Sequence, residues 1–189
     1  MLFYESSFII GYAIFIALYF LIPYKQRNFL ILLISYYFYG QWNYKLLSLL
    51  IISTLLDYFM GLCIGKTTKS LKKKLFLAIS IVGNLGILCY FKYANFFIDS
   101  FTQLFPIGLE SNSLILQVIL PAGISFYTFQ TMSYTIDVYR NQIMPEKNFI
   151  VFASFVTFFP QLVAGPIERA ENLIQQLKVK YKGLYQITR

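Results

Sequence analysis

Long apolar blocks with almost no charge dominate the first half of the chain. A helix needs about 20 apolar residues to cross the hydrocarbon core of a bilayer, and two of the blocks meet that length. The two shorter blocks are compatible with thin or tilted spans whose ends are completed by Tyr and Trp. A soluble core would instead alternate apolar and polar positions. The pattern predicts an all-α polytopic membrane protein, with blocks at Phe8–Ile22, Phe29–Phe38, Leu46–Ile64 and Leu75–Phe91.

The composition supports this class. Hydrophobic residues make up 58% of the 189 residues and charged residues 13%, whereas soluble domains have about 45–50% and about 25%. A chain of this length has room for five or six hydrophobic segments with short loops and no soluble domain. We therefore expect a single transmembrane domain over residues 1–189, with the bilayer as its main partner and no nucleic acid.

The placement of positive charge predicts an orientation in the cell membrane. Basic residues follow alternate apolar segments, at Lys25 and Arg27, at Lys66–Lys74, and at Arg140 and Lys147. Because basic loops stay in the cytoplasm, this alternation places the N-terminus outside in a multi-pass protein. The basic stretch Arg169–Lys182 would fall outside if the last apolar segment crossed fully, so either that segment is re-entrant, which we favour, or the basic tail is an exception to the rule. The lysine cluster is interpreted as an orientation anchor, with a dock for anionic lipid or an acidic carrier protein as the alternative.

Several residue types limit the chemistry. The chain has no His, and its two cysteines, Cys63 and Cys89, lie in separate apolar segments without metal-ligand or redox spacing. No metal site and no bound cofactor are expected. Asp57 is a carboxylate deep in an apolar block, and we interpret it as a hydrogen-bonded polar anchor rather than a catalytic base.

The second half contains segments that Pro, Gly and polar residues interrupt. Asn95, Asp99 and Gln103 recur at four-residue spacing on an aromatic segment, which predicts a helix at the membrane interface. This segment ends near Pro106.

A polar stripe follows Pro121. On a helix, Tyr127, Gln130, Tyr134 and Asp137 share one face, and Thr131 lies close to it. Polar groups in lipid must face partners or water, so the stripe is compatible with a substrate tunnel. Interhelical hydrogen bonds that stabilise the bundle are the favoured alternative. Asp137 and Arg140 are expected to form a local ion pair.

A second interruption occurs at Pro160, Gly165 and Pro166, which cannot all lie inside one continuous helix. Gln161, between the two prolines, is a candidate for the backbone bonding or ligand contact that such a break requires.

Four ordered stretches resemble the membrane-bound O-acyltransferase family, in the branch that holds alginate O-acetyltransferase and the D-alanyl transferase of teichoic acid. The alginate-type branch is the better match. The motif residues within these stretches are Lys92, Tyr93, Pro121, Gly123, Ser125, Phe126, Arg140, Pro160, Gly165 and Pro166. The stretches span Phe91–Phe97, Leu120–Gln130, Ile136–Arg140 and Phe159–Ile167, and Tyr37–Asn43 is similar too.

The resemblance implies a ring of helices around a thin centre with a tunnel through it. This chain would form a partial ring of about five or six hydrophobic helices with interfacial and re-entrant segments. Its implied activity is transfer of an acyl group, acetyl on the alginate-type match, to hydroxyls of an exported polysaccharide such as alginate. The tunnel candidates on that reading are Tyr127, Gln130, Tyr134, Asp137 and Gln161. A non-catalytic scaffold is the alternative, and a small transporter ranks last.

The departure from the family is the missing His. The catalytic His of the family lies beyond the region that this chain resembles, so no catalytic residue is assigned here. The chain is expected to be the N-terminal portion of the enzyme and inactive alone. Its implied partners are the C-terminal half and other polysaccharide-acetylation proteins, and the acyl donor stays unassigned.

Overall fold

The computed structural model describes residues 6–104, 123–165 and 168–179, and every regular element in these ranges is a helix. Pro121 and Pro166 lie outside the described residues. A π-helical turn, Cys89–Tyr93, continues directly from the third helix. The helices are α1 (Ser6–Leu21), α2 (Tyr24–Lys66), α3 (Ser70–Leu88), α4 (Ala94–Leu104), α5 (Ile124–Tyr139), α6 (Phe149–Thr157), α7 (Phe159–Ala164) and α8 (Ala170–Lys178).

The second and third apolar blocks of the sequence are joined in the structure. The blocks Phe29–Phe38 and Leu46–Ile64 belong to one helix, α2, without a loop between them. The residues between the blocks include no proline, so none of them blocks the helical backbone from continuing.

Helix α2 is bent. Asn28 and Tyr58 would lie about 45 Å apart on a straight helix. Both contact α6, which has nine residues and is about 13 Å long: the Ser154 hydroxyl donates to the Asn28 carbonyl over 2.8 Å, and the rings of Tyr58 and Phe152 have centroids 5.7 Å apart. The two halves of α2 therefore fold back along the same neighbour.

Aromatic side chains form the centre of the core. Tyr127 and Tyr134 on α5 and Phe152 and Phe155 on α6 are fully buried, and the Tyr134 and Phe152 rings lie 4.7 Å apart. Gly61 on α2 permits the close approach of α5, because a Cβ there would lie 2.7 Å from the Tyr134 ring. Burial of such rings is a large part of the packing energy.

Two helical stretches in the described part are long and apolar enough to cross a membrane, Leu46–Lys66 and Ser70–Tyr93. Two shorter apolar stretches are Ile10–Leu21 and Phe149–Gln161. The all-helical prediction is confirmed for the described residues, whereas the count of five or six spans stays a prediction. Helix α4 is present where an interfacial helix was expected; the side chains of Asn95, Asp99 and Gln103 lie outside the described part.

The predicted interruption near Pro160 is confirmed. Helix α6 ends at Thr157, Phe158 has non-helical backbone angles, and Pro160 lies in the first turn of the six-residue α7. Proline is tolerated there because the first amide groups of a helix have no intrahelical acceptor. Helix α7 ends at Ala164, and the backbone of the following Gly165 is extended.

Candidate functional site

Two of the predicted tunnel residues, Gln130 and Gln161, meet inside the protein. Gln130 is buried on α5 and its Nε2 donates to the Phe155 carbonyl over 2.8 Å. The same nitrogen lies 3.4 Å from Oε1 of Gln161, which is also buried, on α7. The carbonyl of Phe155 accepts this side-chain bond just before the helix break. Gln130 therefore joins the polar stripe of α5 to the interrupted segment.

Tyr134 and Tyr127 occupy the same face of α5 and are fully buried. The Tyr134 hydroxyl accepts a hydrogen bond from the Glu146 backbone N–H over 2.9 Å. Tyr127 lies beside Tyr39 of α2. The Tyr127 contact joins two helices, as the favoured alternative for the stripe requires, whereas the Tyr134 contact joins α5 to the loop before α6.

Asp137 and Arg140 behave differently from the prediction. Asp137 is half-buried at the end of α5 and Arg140 is exposed just after it, and the two form no ion pair in the described structure. The expected local pair is therefore wrong: Arg140 terminates the helix, and its backbone N–H bonds back to the Ile136 carbonyl. An ion pair forms instead between Lys178 and Glu146.

Glu146 is a functional candidate that sequence reasoning missed. It is 6% exposed, and its Oε1 accepts from the Asn148 backbone N–H over 2.8 Å. Asn148 in turn caps α6 through Oδ1, as polar residues at helix starts commonly do. The sequence offered one sign of this role, which is that Glu146 stands two residues before the helix-capping Asn148.

A cavity of about 280 Å³ lies beside the interrupted segment, and Gln161 lines it. A second cavity of about 210 Å³ adjoins it and is mostly apolar, with Phe15, Tyr19 and Leu177 in its wall. Both cavities share Phe158, Leu173 and Gln176. Of the five tunnel candidates only Gln161 lines either of these two cavities, and it lines the one beside the interrupted segment. A continuous tunnel therefore stays a prediction.

Gly165 is held against Gln161. A Cβ at Gly165 would lie 2.8 Å from the Gln161 Cα, a distance that side-chain-bearing residues do not tolerate without a backbone shift. The glycine therefore allows the chain to leave α7 close beside the Gln161 backbone.

Two motif stretches that are distant in sequence are joined by Lys92. Its Nζ donates to Oγ of Ser125 over 3.1 Å and lies 5.4 Å from the Tyr93 ring centroid, within range of a cation–π contact. Lys92 and Tyr93 belong to the π-helical turn, a local form that is frequent at functional sites. Gly123, in the left-handed region with φ 70°, turns the chain into α5 just before Ser125, and Phe126 remains partly exposed.

Asp57 is the centre of a buried polar cluster. It accepts hydrogen bonds from Ser80 Oγ over 2.5 Å and from Asn84 Nδ2 over 2.7 Å. Thr131 of α5 is a further hydrogen-bonding neighbour. This arrangement fits the anchor interpretation of Asp57, because its carboxylate ties α2 to α3 and α5.

Other members of the cluster were missed. Ser53 Oγ donates to Asn84 Oδ1 over 2.8 Å, and the hydroxyls of Ser80 and Thr135 lie 3.0 Å apart. The available signal was spacing: Ser53 and Asp57, like Ser80 and Asn84, are four residues apart on apolar helices. Among the described residues no group of three or more His, Cys, Asp or Glu could hold a metal ion, and Cys63 and Cys89 are free thiols.

Comparison with known proteins shows clear relatives. A probable alginate O-acetylase of Pseudomonas putida is 43% identical over 167 residues, which are 86% of this chain and 34% of that protein. The chain is a homologue of the alginate O-acetylases. A probable alginate O-acetylase of Azotobacter vinelandii is 40% identical over 86% of this chain and 33% of its own length.

A more distant relative acts on another polymer. A peptidoglycan O-acetyltransferase of Helicobacter pylori is 35% identical over 79% of this chain and 32% of its own length. No family model and no solved structure matches the chain. The resemblance noted in the motifs is confirmed, and this homologue of the alginate O-acetylases spans about a third of the length of the curated relatives it matches.

Proposed function

We propose that this chain is the N-terminal portion of a membrane-bound O-acetyltransferase that acetylates hydroxyls of an exported polysaccharide such as alginate. The observation that carries the proposal is the 43% identity to the Pseudomonas putida protein over 167 residues. The 189 residues contain no His, the side chain best suited to act as a general base near neutral pH. In this proposal the base comes from a segment outside these residues.

The part assigned to this chain is binding and positioning. Gln161 offers an amide group to a cavity next to the interrupted segment, and such a group can bond a sugar hydroxyl or an acyl carbonyl. Gln130 positions Gln161 by donating a hydrogen bond to its Oε1. Tyr127, Tyr134 and Asp137 complete the proposed wall of a tunnel. Lys92 and Ser125 hold two of the motif stretches together.

The membrane arrangement is part of the same proposal. The chain forms one multi-pass domain in the cell membrane, a partial ring with its N-terminus outside and a re-entrant segment at α7. The remaining two-thirds of the enzyme and other polysaccharide-acetylation proteins are its proposed partners. The short helix α7 between two breaks supports a re-entrant segment, because interrupted backbone at membrane depth needs protein or water around it.

A chimaera tests the activity. The matching region of the Pseudomonas putida alginate O-acetylase is replaced by this chain, in a strain that lacks its own enzyme, and acetyl esters on exported alginate are measured. Restored esters are the expected result. A chimaera that reaches the membrane at the wild-type level but leaves alginate unacetylated contradicts the proposal and favours a non-catalytic scaffold.

The similarity to the Helicobacter pylori protein supports peptidoglycan as a second acceptor. Acetyl esters on muramic acid are therefore measured in the same cells. Esters on peptidoglycan with none on alginate would support the acetyltransferase function but with peptidoglycan as the acceptor.

A further inference from the structure

Basic residues from two separate loops lie at one end of the molecule. We call this set the basic patch. It consists of Lys66, Lys69, Lys72, Lys73 and Lys74 around the start of α3, and of Arg140 and Lys147 from the loop between α5 and α6. All except Lys73, which is partly buried, are exposed.

Three contacts hold the two loops together. Lys73 Nζ donates to Asn141 Oδ1 over 3.3 Å. Gly65 packs against the Pro145 ring so closely that a Cβ would overlap it, and the Tyr58 hydroxyl donates to the Lys147 carbonyl over 2.6 Å. The two groups of cations therefore form one surface.

The nearby carboxylates leave this charge largely uncompensated. Glu146 is buried and paired with Lys178 of α8, and Asp137 is half-buried one turn before Arg140. The patch thus presents a concentrated positive surface, which attracts anionic groups.

Exposed apolar side chains lie among the cations. Leu71, Leu75, Ile79 and Val82 are exposed along one face of α3, the stretch that is apolar enough to span a membrane. This face starts beside Lys72 and Lys74, and Met144 is 91% exposed in the other loop. An apolar face that ends in lysines matches the boundary between acyl chains and headgroups, where long basic side chains extend toward phosphate. A soluble acidic partner would not require the apolar row.

We propose that the basic patch is a composite binding site for the headgroup phosphates of anionic phospholipids, formed jointly by the start of α3 and the α5–α6 loop. The apolar row of α3 contacts the acyl chains of the same lipids. Each basic residue near an anionic surface adds about a fivefold attraction. The site does not depend on the acetyltransferase proposal.

The test is lipid retention on the purified 189-residue chain. Native mass spectrometry measures bound phosphatidylglycerol against phosphatidylcholine from equal mixtures in detergent. Neutralising one loop with Lys66→Gln, Lys69→Gln and Lys72→Gln, or the other with Arg140→Gln and Lys147→Gln, should each reduce the preference for phosphatidylglycerol at least threefold. The control carries Lys25→Gln and Arg169→Gln, two exposed cations outside the patch, and should keep most of the preference. Circular dichroism establishes that each variant is folded.

Three outcomes overturn the proposal. Equal retention of both lipids by the unmodified chain excludes a specific site. If the control loses as much preference for phosphatidylglycerol as the loop variants do, the preference depends on net charge and not on the basic patch. Binding of poly-glutamate that depends on the patch, without any lipid preference, assigns the surface to an acidic protein instead.

Discussion

Asn84 donates a hydrogen bond from Nδ2 to Oδ2 of Asp57 over 2.7 Å, in the fully buried contact between α3 and α2. Asn84 also accepts from Ser53 through Oδ1, so its amide is used on both sides. This relationship fixes the side-chain orientation of Asn84, because a flipped amide would oppose nitrogen to the Ser53 donor and oxygen to the carboxylate. The pair therefore sets the register of two apolar helices that otherwise pack through non-directional contacts.

Replacing Asp57 should destabilise the fold. In Asp57→Ala the donors from Ser80, Asn84 and Thr131 lose their acceptor, and interhelical hydrogen bonds in membranes are each worth about 0.6 kcal/mol. We expect a loss of about 2 kcal/mol in the free energy of unfolding, measured by detergent-induced unfolding of the purified chain. Asp137→Ala, at a half-buried carboxylate, is the matched control and should change stability by less than about 0.5 kcal/mol. Equal stability of both variants would show that Asp57 does not anchor the three helices.

Gly165 and Gly86 offer a paired test of steric fit. Gly165→Ala should cost about 1–3 kcal/mol, because its Cβ would meet the Gln161 backbone. Gly86→Ala should be neutral or stabilising by up to about 1 kcal/mol, since it lies in α3 with nothing within 4 Å of the added Cβ and alanine favours helix. Thermal unfolding of both variants checks the pair. A Gly165→Ala variant as stable as Gly86→Ala would show that the backbone after α7 has room for a Cβ beside Gln161.

How much of this site the sequence could predict depends on the residue. The periodicity of Tyr127, Gln130 and Tyr134 correctly predicted one buried face, because a helix repeats every 3.6 residues. The breaks at Pro160 and Gly165 were predicted from backbone chemistry alone.

Other features needed the structure. Lys92 and Ser125 are 33 positions apart, and a sequence carries no distance between such residues. Glu146 lies in a polar loop and resembles a solvated charge until its neighbours are known. The bend in α2 was missed because the two apolar blocks indicated separate spans, while the residues between them contain no proline and the helix continues.

The ion pair of Glu146 and Lys178 should respond asymmetrically to substitution. Lys178→Met leaves a buried carboxylate without its partner, which costs about 1–3 kcal/mol. Glu146→Gln leaves a half-exposed ammonium that water can solvate, so its cost should stay below about 1 kcal/mol. Chemical unfolding of the two single variants measures the difference. A Glu146→Gln variant that is the more damaging of the two would contradict this asymmetry, because glutamine keeps an oxygen that can accept from the Asn148 N–H.

The contact between Lys92 and Ser125 is suited to a double-mutant cycle. Lys92→Met, Ser125→Ala and the double variant should show a coupling energy of about 0.5–1.5 kcal/mol. Either single variant already removes the hydrogen bond that the charged Lys92 donates, so the double variant cannot lose it a second time. The cycle is measured on unfolding of the purified chain. Lys25→Met combined with Ser125→Ala supplies the uncoupled reference. Additive effects in both cycles would show that the two motif stretches are not joined through this bond.

The bend in α2 can be measured directly. Cys63 and Cys89 are first replaced by Ala, and spin labels are then attached at cysteines introduced for Phe29 and Phe59, which are both exposed. A straight helix would separate these positions by about 45 Å, whereas joint packing of both halves against the short helix α6 requires a much smaller separation. Pulsed electron resonance in lipid nanodiscs should therefore give a distance well below the straight-helix value. As a reference, labels at Phe59 and Tyr44 lie within the second half of α2 and should give about 22 Å, the value for an uninterrupted helix. A reference near 22 Å together with a long distance of about 45 Å would mean that the two halves do not fold back, and the shared contact with α6 would then be wrong.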